Sequence, residues 1–269
     1  MKAINSFRTG LVYFLIALVS IFSAFPILYM AIISLKDRVL LYDPSNVFFV
    51  PTLENYKVAI YKYGLIKYLQ DSTIISLANV VICLFIGILA GYALQRFSFL
   101  HKEKIELGIV SSRMLPSIAL VLPFYIMGLT LGLLDTYSIL VIIFIVFNLP
   151  FVVLMIKSFF DNIPKEFEEA AMIDGCSRIG ALIRVVLPQM KGGIFATGII
   201  SFIFAWNEFT YALFLTSIKT KYISTAVIFF KTERGILWGE VSALGVVAVL
   251  PVLILCVASQ KYLLKGAAR

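Results

Sequence analysis

The sequence predicts an all-α integral membrane protein with six transmembrane helices and an amphipathic helical hairpin between the fourth and fifth. Three observations predict it. The chain is 61% hydrophobic and only 14% charged, with a mean hydropathy of +0.99, whereas soluble chains carry about 25% charged residues. Six apolar runs reach the roughly 20 residues that a helix needs to cross a bilayer. The longest charged interruption between them in the second half is Ile163 to Pro188, IPKEFEEAAMIDGCSRIGALIRVVLP.

The spans are expected at about 11–35, 72–95, 107–132, 137–157, 190–217 and 242–261. The first is free of charge from Leu11 to Leu35. It holds Pro26, which a membrane helix tolerates as a kink. Lys2 and Arg8 precede it, but the run is too long for a signal-peptide core and reads as a retained span. Residues 36–71 form a polar and aromatic connection with Pro44 and Pro51, with room for a short surface helix at LENYKVAIYKYG. The second span carries Gly87 and Gly91, a small-residue pair that permits close helix contact. A basic loop from Arg96 to Lys104 leads to the third, which contains Arg113, Pro116 and Pro123. A short turn around Asp135 makes a tight hairpin with the fourth. The fifth contains FAWNEFTYALFLTS, and a longer loop, Ile218 to Val241, precedes the sixth.

Charge sets orientation. With the N-terminus inside, the inner segments carry more of the Lys and Arg than the outer ones. That places both termini and the charged hairpin in the cytosol. The net charge of +8 is scattered between apolar runs rather than gathered on one face, which excludes a nucleic-acid surface. Cys83, Cys176 and Cys256 lack paired spacing, and His101 is the single histidine, so neither a disulfide framework, a metal site nor histidine-based catalysis is expected.

The hairpin reads as two short helices. Pro164 suits a first helical position, and Glu166, Glu168 and Glu169 favour the positive end of the helix dipole. Phe167, Ala170 and Ala171 share one face, and Gly175 is placed for a left-handed cap. Ser177 caps a second helix with Ile179, Leu182, Ile183 and Val186 on one stripe, closed by Pro188.

Glu169-Ala170-Ala171, Asp174-Gly175 and, after nine intervening residues, Val185-x-Leu187-Pro188 resemble the EAA loop of ABC importer permeases, with Val185 where the pattern usually has Ile. The resemblance extends through RMLPSIALVLPFYIMGLTLGLLDTYSILVIIFIVFNLPFVVLMIKSFFDNIPKEFEEAAMIDG, and again through FAWNEFTYALFLTS and QKYLLKG, to carbohydrate importer permeases of the smaller, six-span maltose type. It implies a type I ABC importer permease fold over residues 1–269 as one transmembrane domain. It also implies partners: a second homologous permease, two copies of an ABC ATPase and an extracytoplasmic solute-binding protein. Location would be the plasma (inner) membrane of a bacterium or archaeon. The chain would bind no cofactor; ATP and Mg would be used by the partner ATPase. Consistent with that, the sequence has no Walker-type phosphate loop.

On this resemblance the ATPase-coupling residues are Glu168, Glu169, Ala170, Ala171, Asp174 and Gly175. Either Glu168 or Glu169 can be the acid that pairs with an arginine of the partner. A candidate substrate path comprises Asn148, Trp206, Asn207, Glu208 and Tyr211. A carboxylate in a span costs about 2.5–3.5 kcal/mol and usually faces a cavity or a partner. Glu208 therefore reads as part of the solute path, as a gate or as a structural link. Arg113 is expected near the inner end of its span and Glu208 nearer the outer half, too far apart to pair. Asn148 could equally be interhelical glue. The loop Ile218 to Val241, with Lys219, Lys221, Lys231 and Arg234, resembles the one that probes the binding protein. Rival readings keep the architecture but import glycerol phosphate, a polyol or another solute, or make the chain a self-contained channel or carrier. A phosphorylated solute would call for basic groups facing the path, and Arg113 alone is embedded in a span, which favours a neutral sugar. A membrane enzyme would need clustered catalytic groups at one depth, and the sequence offers none.

Overall fold

The computed structural model describes residues 2–42, 48–232 and 235–267. Pro44, Arg234 and the last two residues lie outside them. The chain divides into two compact units, Met1–Ile66 with Ala226–Leu250, and Lys67–Thr225 with Pro251–Arg269.

In the first unit, helix α1 (Lys2–Ser34) runs through Pro26 without a break. The most apolar part of the stretch Thr9–Ser34 has no buried residue, as befits a helix whose solvent is lipid or a partner, and only its end, at Ser34, is buried. The polar connection after it is tied down by its own groups. Asn55, in the short helix α2 (Glu54–Lys57), donates to the carbonyls of Ser34 and Lys36 at 2.9 and 2.8 Å. Gly239 lies so close to the Asn55 amide that a side chain there would collide with it. Arg38 pairs with the buried Glu240. A two-stranded hairpin, β1 (Lys231–Thr232) and β2 (Gly235–Ile236), precedes helix α11 (Trp238–Ala267).

The second unit is built on α3 (Leu65–Arg96), α6 (Tyr137–Asp161) and α9 (Leu187–Trp206). Gly87 and Gly91 let α3 approach α6. A β-carbon at position 91 would stand 3.0 Å from the backbone nitrogen of Lys157, and one at position 87 would stand 2.6 Å from Val152 Cγ1. Asn148 Nδ2 bridges these helices to α9, donating to Asn79 Oδ1 and to the Ser201 carbonyl, both at 2.8 Å. One buried cluster packs Ile75, Ile139, Ile143, Phe144, Tyr211 and Tyr222. Another packs Cys83, Tyr92, Val152, Ile156, Phe160, Leu182 and Val186.

Three expectations change here. The span expected at 107–132 is two helices, α4 (Lys102–Ser112) and α5 (Ser117–Thr130), meeting at 94°. Pro116 explains the break: it has no N–H to donate and bars the residue before it from helical geometry. The apolar run at 190–217 breaks after Trp206 and resumes as α10 (Thr210–Leu215). There the Asn207 amide bonds back to the Ile203 carbonyl at 2.9 Å, and the Glu208 carboxylate accepts from the Tyr211 N–H at 3.2 Å. Both side chains offer the backbone an alternative to continuing the helix. Pro188, expected to close a helix, does not. The stretch from Arg178 to Trp206 is one continuous helical path, because a wide π turn at residues 182–186 accommodates the proline.

Asp135 ties two turns together. It sits in left-handed backbone at φ 57°, a geometry that Asp tolerates better than most residues. Its carboxylate accepts the backbone N–H groups of Ser217, Ile218, Lys219 and Thr220 at 2.9–3.0 Å. Burial alone would raise its pKa, but the four donors outweigh burial and hold it below the ordinary carboxylate value. The sign follows: with the folded pKa depressed, the stabilisation is complete above the ordinary carboxylate range and is lost as pH falls through the lowered folded value. Asp135→Asn should therefore speed amide hydrogen exchange at residues 217–220 at neutral pH. The difference from the parent should shrink under acid, and equal exchange at neutral pH would contradict the clamp.

Candidate functional site

The charged hairpin is α7 (Glu166–Ile173) followed by α8 (Arg178–Ala181). Gly175 between them has φ 89°, a left-handed value that costs glycine little. Ser177 caps α8, its Oγ accepting from the Gly180 N–H at 3.1 Å.

The two faces of α7 differ. Glu168 and Ala171, three residues apart and so on one side of the helix, are buried. Glu169, Ala170, Asp174 and Gly175 are exposed. Phe167, Ala170 and Ala171, which the pattern placed on one face, are split: Phe167 and Ala170 are exposed and Ala171 is buried, and Ile173, Ile179 and Ile183 are exposed as well. On the second helix only Leu182 and Val186 of the expected stripe are buried. The hairpin thus exposes both polar groups and large apolar side chains.

Glu168 has an internal partner. Its Oε1 accepts from Arg96 Nε at 2.6 Å and its Oε2 from the Tyr92 hydroxyl at 3.0 Å. Arg96 also donates to the Ile163 carbonyl at 2.9 Å. Both members of this ion pair are almost wholly buried. Nothing local in the sequence marks Arg96 as the partner, since it is simply the last basic residue of α3.

A second feature is a cavity of about 250 Å³ lined by Arg113, Ser117, Phe144, Phe147, Asn148, Phe204, Glu208 and Tyr211. The structure brings Arg113 and Glu208 to one cavity, against the expected separation. The bend at residues 113–116 is the reason, because it carries Arg113 out of the line of a straight span. The two form no ion pair among the described residues. The Arg113 guanidinium lies over the rings of Phe151 and Phe204, 5.2 and 5.5 Å from their centres. Asn148 Oδ1 is buried at the wall and meets no hydrogen-bond partner among the described residues. Of the other path residues, Trp206 is buried and stacked on Phe202 at 5.3 Å, away from the cavity lining. Asn207 is exposed and spends its amide on the helix end.

Residues 83–269 match the family described as binding-protein-dependent transport system inner membrane component. The chain belongs to that family. It is a permease subunit of a binding-protein-dependent importer, an integral membrane protein of the ABC importer permease fold. The permease is similar to the sulfoquinovosyl glycerol transport system permease protein SmoH of Agrobacterium fabrum, 34% identical over 90% of this chain and 86% of the relative. It is also similar to the trehalose/maltose transport system permease protein MalG of Thermococcus litoralis, 32% identical over 93% and 91%. In fold it matches a chain of a bacterial ABC transporter involved in the import of the acidic polysaccharide alginate. That match has TM-score 0.78 at 21% identity, covering 96% of this permease and 97% of that chain.

The two faces of α7 can be told apart chemically. With Cys83, Cys176 and Cys256 replaced by Ala, single cysteines at Glu169→Cys and Ala170→Cys should react readily with a polar maleimide in the isolated permease, and Ala171→Cys far more slowly. Equal rates at all three positions would contradict the orientation.

Proposed function

We propose that this permease forms half of the translocation pathway for a sugar or oligosaccharide and is driven through the α7–α8 hairpin by a cytosolic ABC ATPase. Residues 1–269 act as one transmembrane domain, paired with a second, related permease. Two ATPase subunits bind and hydrolyse ATP with Mg, an extracytoplasmic binding protein delivers the solute, and the chain itself breaks no bond. Both termini and the hairpin lie in the cytosol of a bacterial or archaeal cell, a placement supported by the distribution of Lys and Arg.

One observation carries the coupling reading. Glu169, Ala170, Asp174 and Gly175 of α7 and its turn are exposed, and so are the large apolar side chains of Phe167, Ile173, Ile179 and Ile183 in the same hairpin. Small residues with large apolar neighbours and free carboxylates suit insertion into a protein cleft, where an arginine can meet the acid in a bidentate bond. ATP-driven closure of the ATPases would press on this surface and rock the spans between outward- and inward-open states.

The sugar reading is supported by relatives whose names specify sulfoquinovosyl glycerol and trehalose/maltose. It is also supported by a cavity that offers aromatic faces beside an amide, two hydroxyls and a carboxylate. Arg113 favours a second reading within that class: a sugar carrying an anionic group. A basic group facing the path is what an acidic solute requires, and Arg113 lines the cavity.

In proteoliposomes holding the whole importer, Gly175→Pro and Glu169→Arg should leave the chain inserted while lowering solute moved per ATP hydrolysed by about tenfold, within the usual range of coupling energies. Proline cannot adopt the φ of 89° at position 175. Normal transport per ATP in both variants would sink the coupling assignment.

A further inference from the structure

The ion pair behind the coupling surface is more than ballast, because ballast there would be apolar. Arg96 and Glu168 have side chains only 5% and 8% exposed. Removing two charges from water cancels most of what their attraction returns, so apolar residues of similar volume would hold the junction about as firmly. What the charged link adds is direction. Apolar packing is indifferent to small rotations, whereas a guanidinium fork fixes both distance and angle.

The bonds run to two points of the hairpin. Arg96 grips the Glu168 carboxylate in the first turns of α7 and also the Ile163 carbonyl just before Pro164, where the hairpin starts. Tyr92, one turn earlier in α3, holds the other carboxylate oxygen. Its ring packs on Phe160 at 5.5 Å and edge-on to Phe97 at 5.9 Å. Phe97 lies in turn under the guanidinium of Arg178, at the start of α8, at 5.0 Å. One end of α3, a 32-residue helix, is thereby fastened to the start of the hairpin, to α7 and to α8.

We propose that Arg96, Glu168 and Tyr92 are positioning residues that make α3 and the hairpin move as one rigid body, so that a push on Glu169 and Ala170 reaches the membrane span without loss. This rests on the hairpin being the ATPase-coupling surface. Glu168 then acts on the inner side of α7 and Glu169 on the outer, and the two adjacent acids have different tasks. Glu168 never touches the ATPase.

The test uses the assembled importer, purified with its ATPase and reconstituted in liposomes. Arg96→Met should retain the ATPase and its hydrolysis rate within about twofold while solute moved per ATP falls about tenfold. Glu168→Gln, which keeps the shape and one acceptor, should fall less. Arg96→Lys, which keeps the charge and loses the fork, should lie between the parent and Arg96→Met, and it replaces Arg96→Met in the test if that variant does not insert. Unchanged transport per ATP in the Arg96 variant would overturn the proposal. So would loss of the ATPase from the complex, or hydrolysis and transport falling in parallel, since either makes the link a matter of folding or docking. Glu169→Arg, run alongside, separates the two levels. If it leaves coupling normal, the coupling surface itself is misassigned; if it uncouples while the Arg96 variant does not, only the rigid link fails.

Discussion

Inside a bilayer no water is available to satisfy a backbone group that leaves its helix, and at two irregular points the fold supplies side chains that do so. Where α9 stops, Asn207 and Glu208 take up the freed carbonyl and N–H groups. Where the turn after α10 would expose a run of N–H donors, Asp135 accepts four of them. Asn207, Glu208 and Asp135 are first of all repairs to the backbone. Glu208 shows that repair and function need not compete, since the same carboxylate that caps α10 also lines the cavity.

Much of this was legible in the sequence. The length of an apolar run is a property of the chain itself, so the order of the membrane-length segments could be read directly, five of them as helices among the described residues and the sixth only as the bent pair α4–α5. The turn at Gly175 and the cap at Ser177 also depend only on local chemistry, and the structure has both. The breaks were not legible in the same way. Pro116 ends a helix, yet Pro26, Pro123, Pro150 and Pro251 lie within helices that continue. Whether a proline breaks a span depends on what surrounds it in three dimensions, and composition does not carry that.

The hairpin shows the same limit from the other side. Its motif is a pattern along the chain, but which acid points outward depends on Arg96, 72 residues before Glu168. Glu168 and Glu169 are equivalent to any local rule. A long-range partner draws the first inward, and helix geometry then leaves the second outside. The cavity is half visible in the sequence: the chemistry of Asn148, Glu208 and Tyr211 points to it, and that of Trp206 and Asn207 does too, although neither lines it. Arg113 joins them because of a bend that no periodicity announces.

The account as a whole requires that this chain never works alone. The most direct measurement is to tag it, extract it gently from its native membrane and identify what comes with it. The account predicts a second, related permease and an ATPase carrying a Walker-type phosphate loop. Recovery of this chain by itself, under conditions that keep other membrane complexes intact, would contradict it.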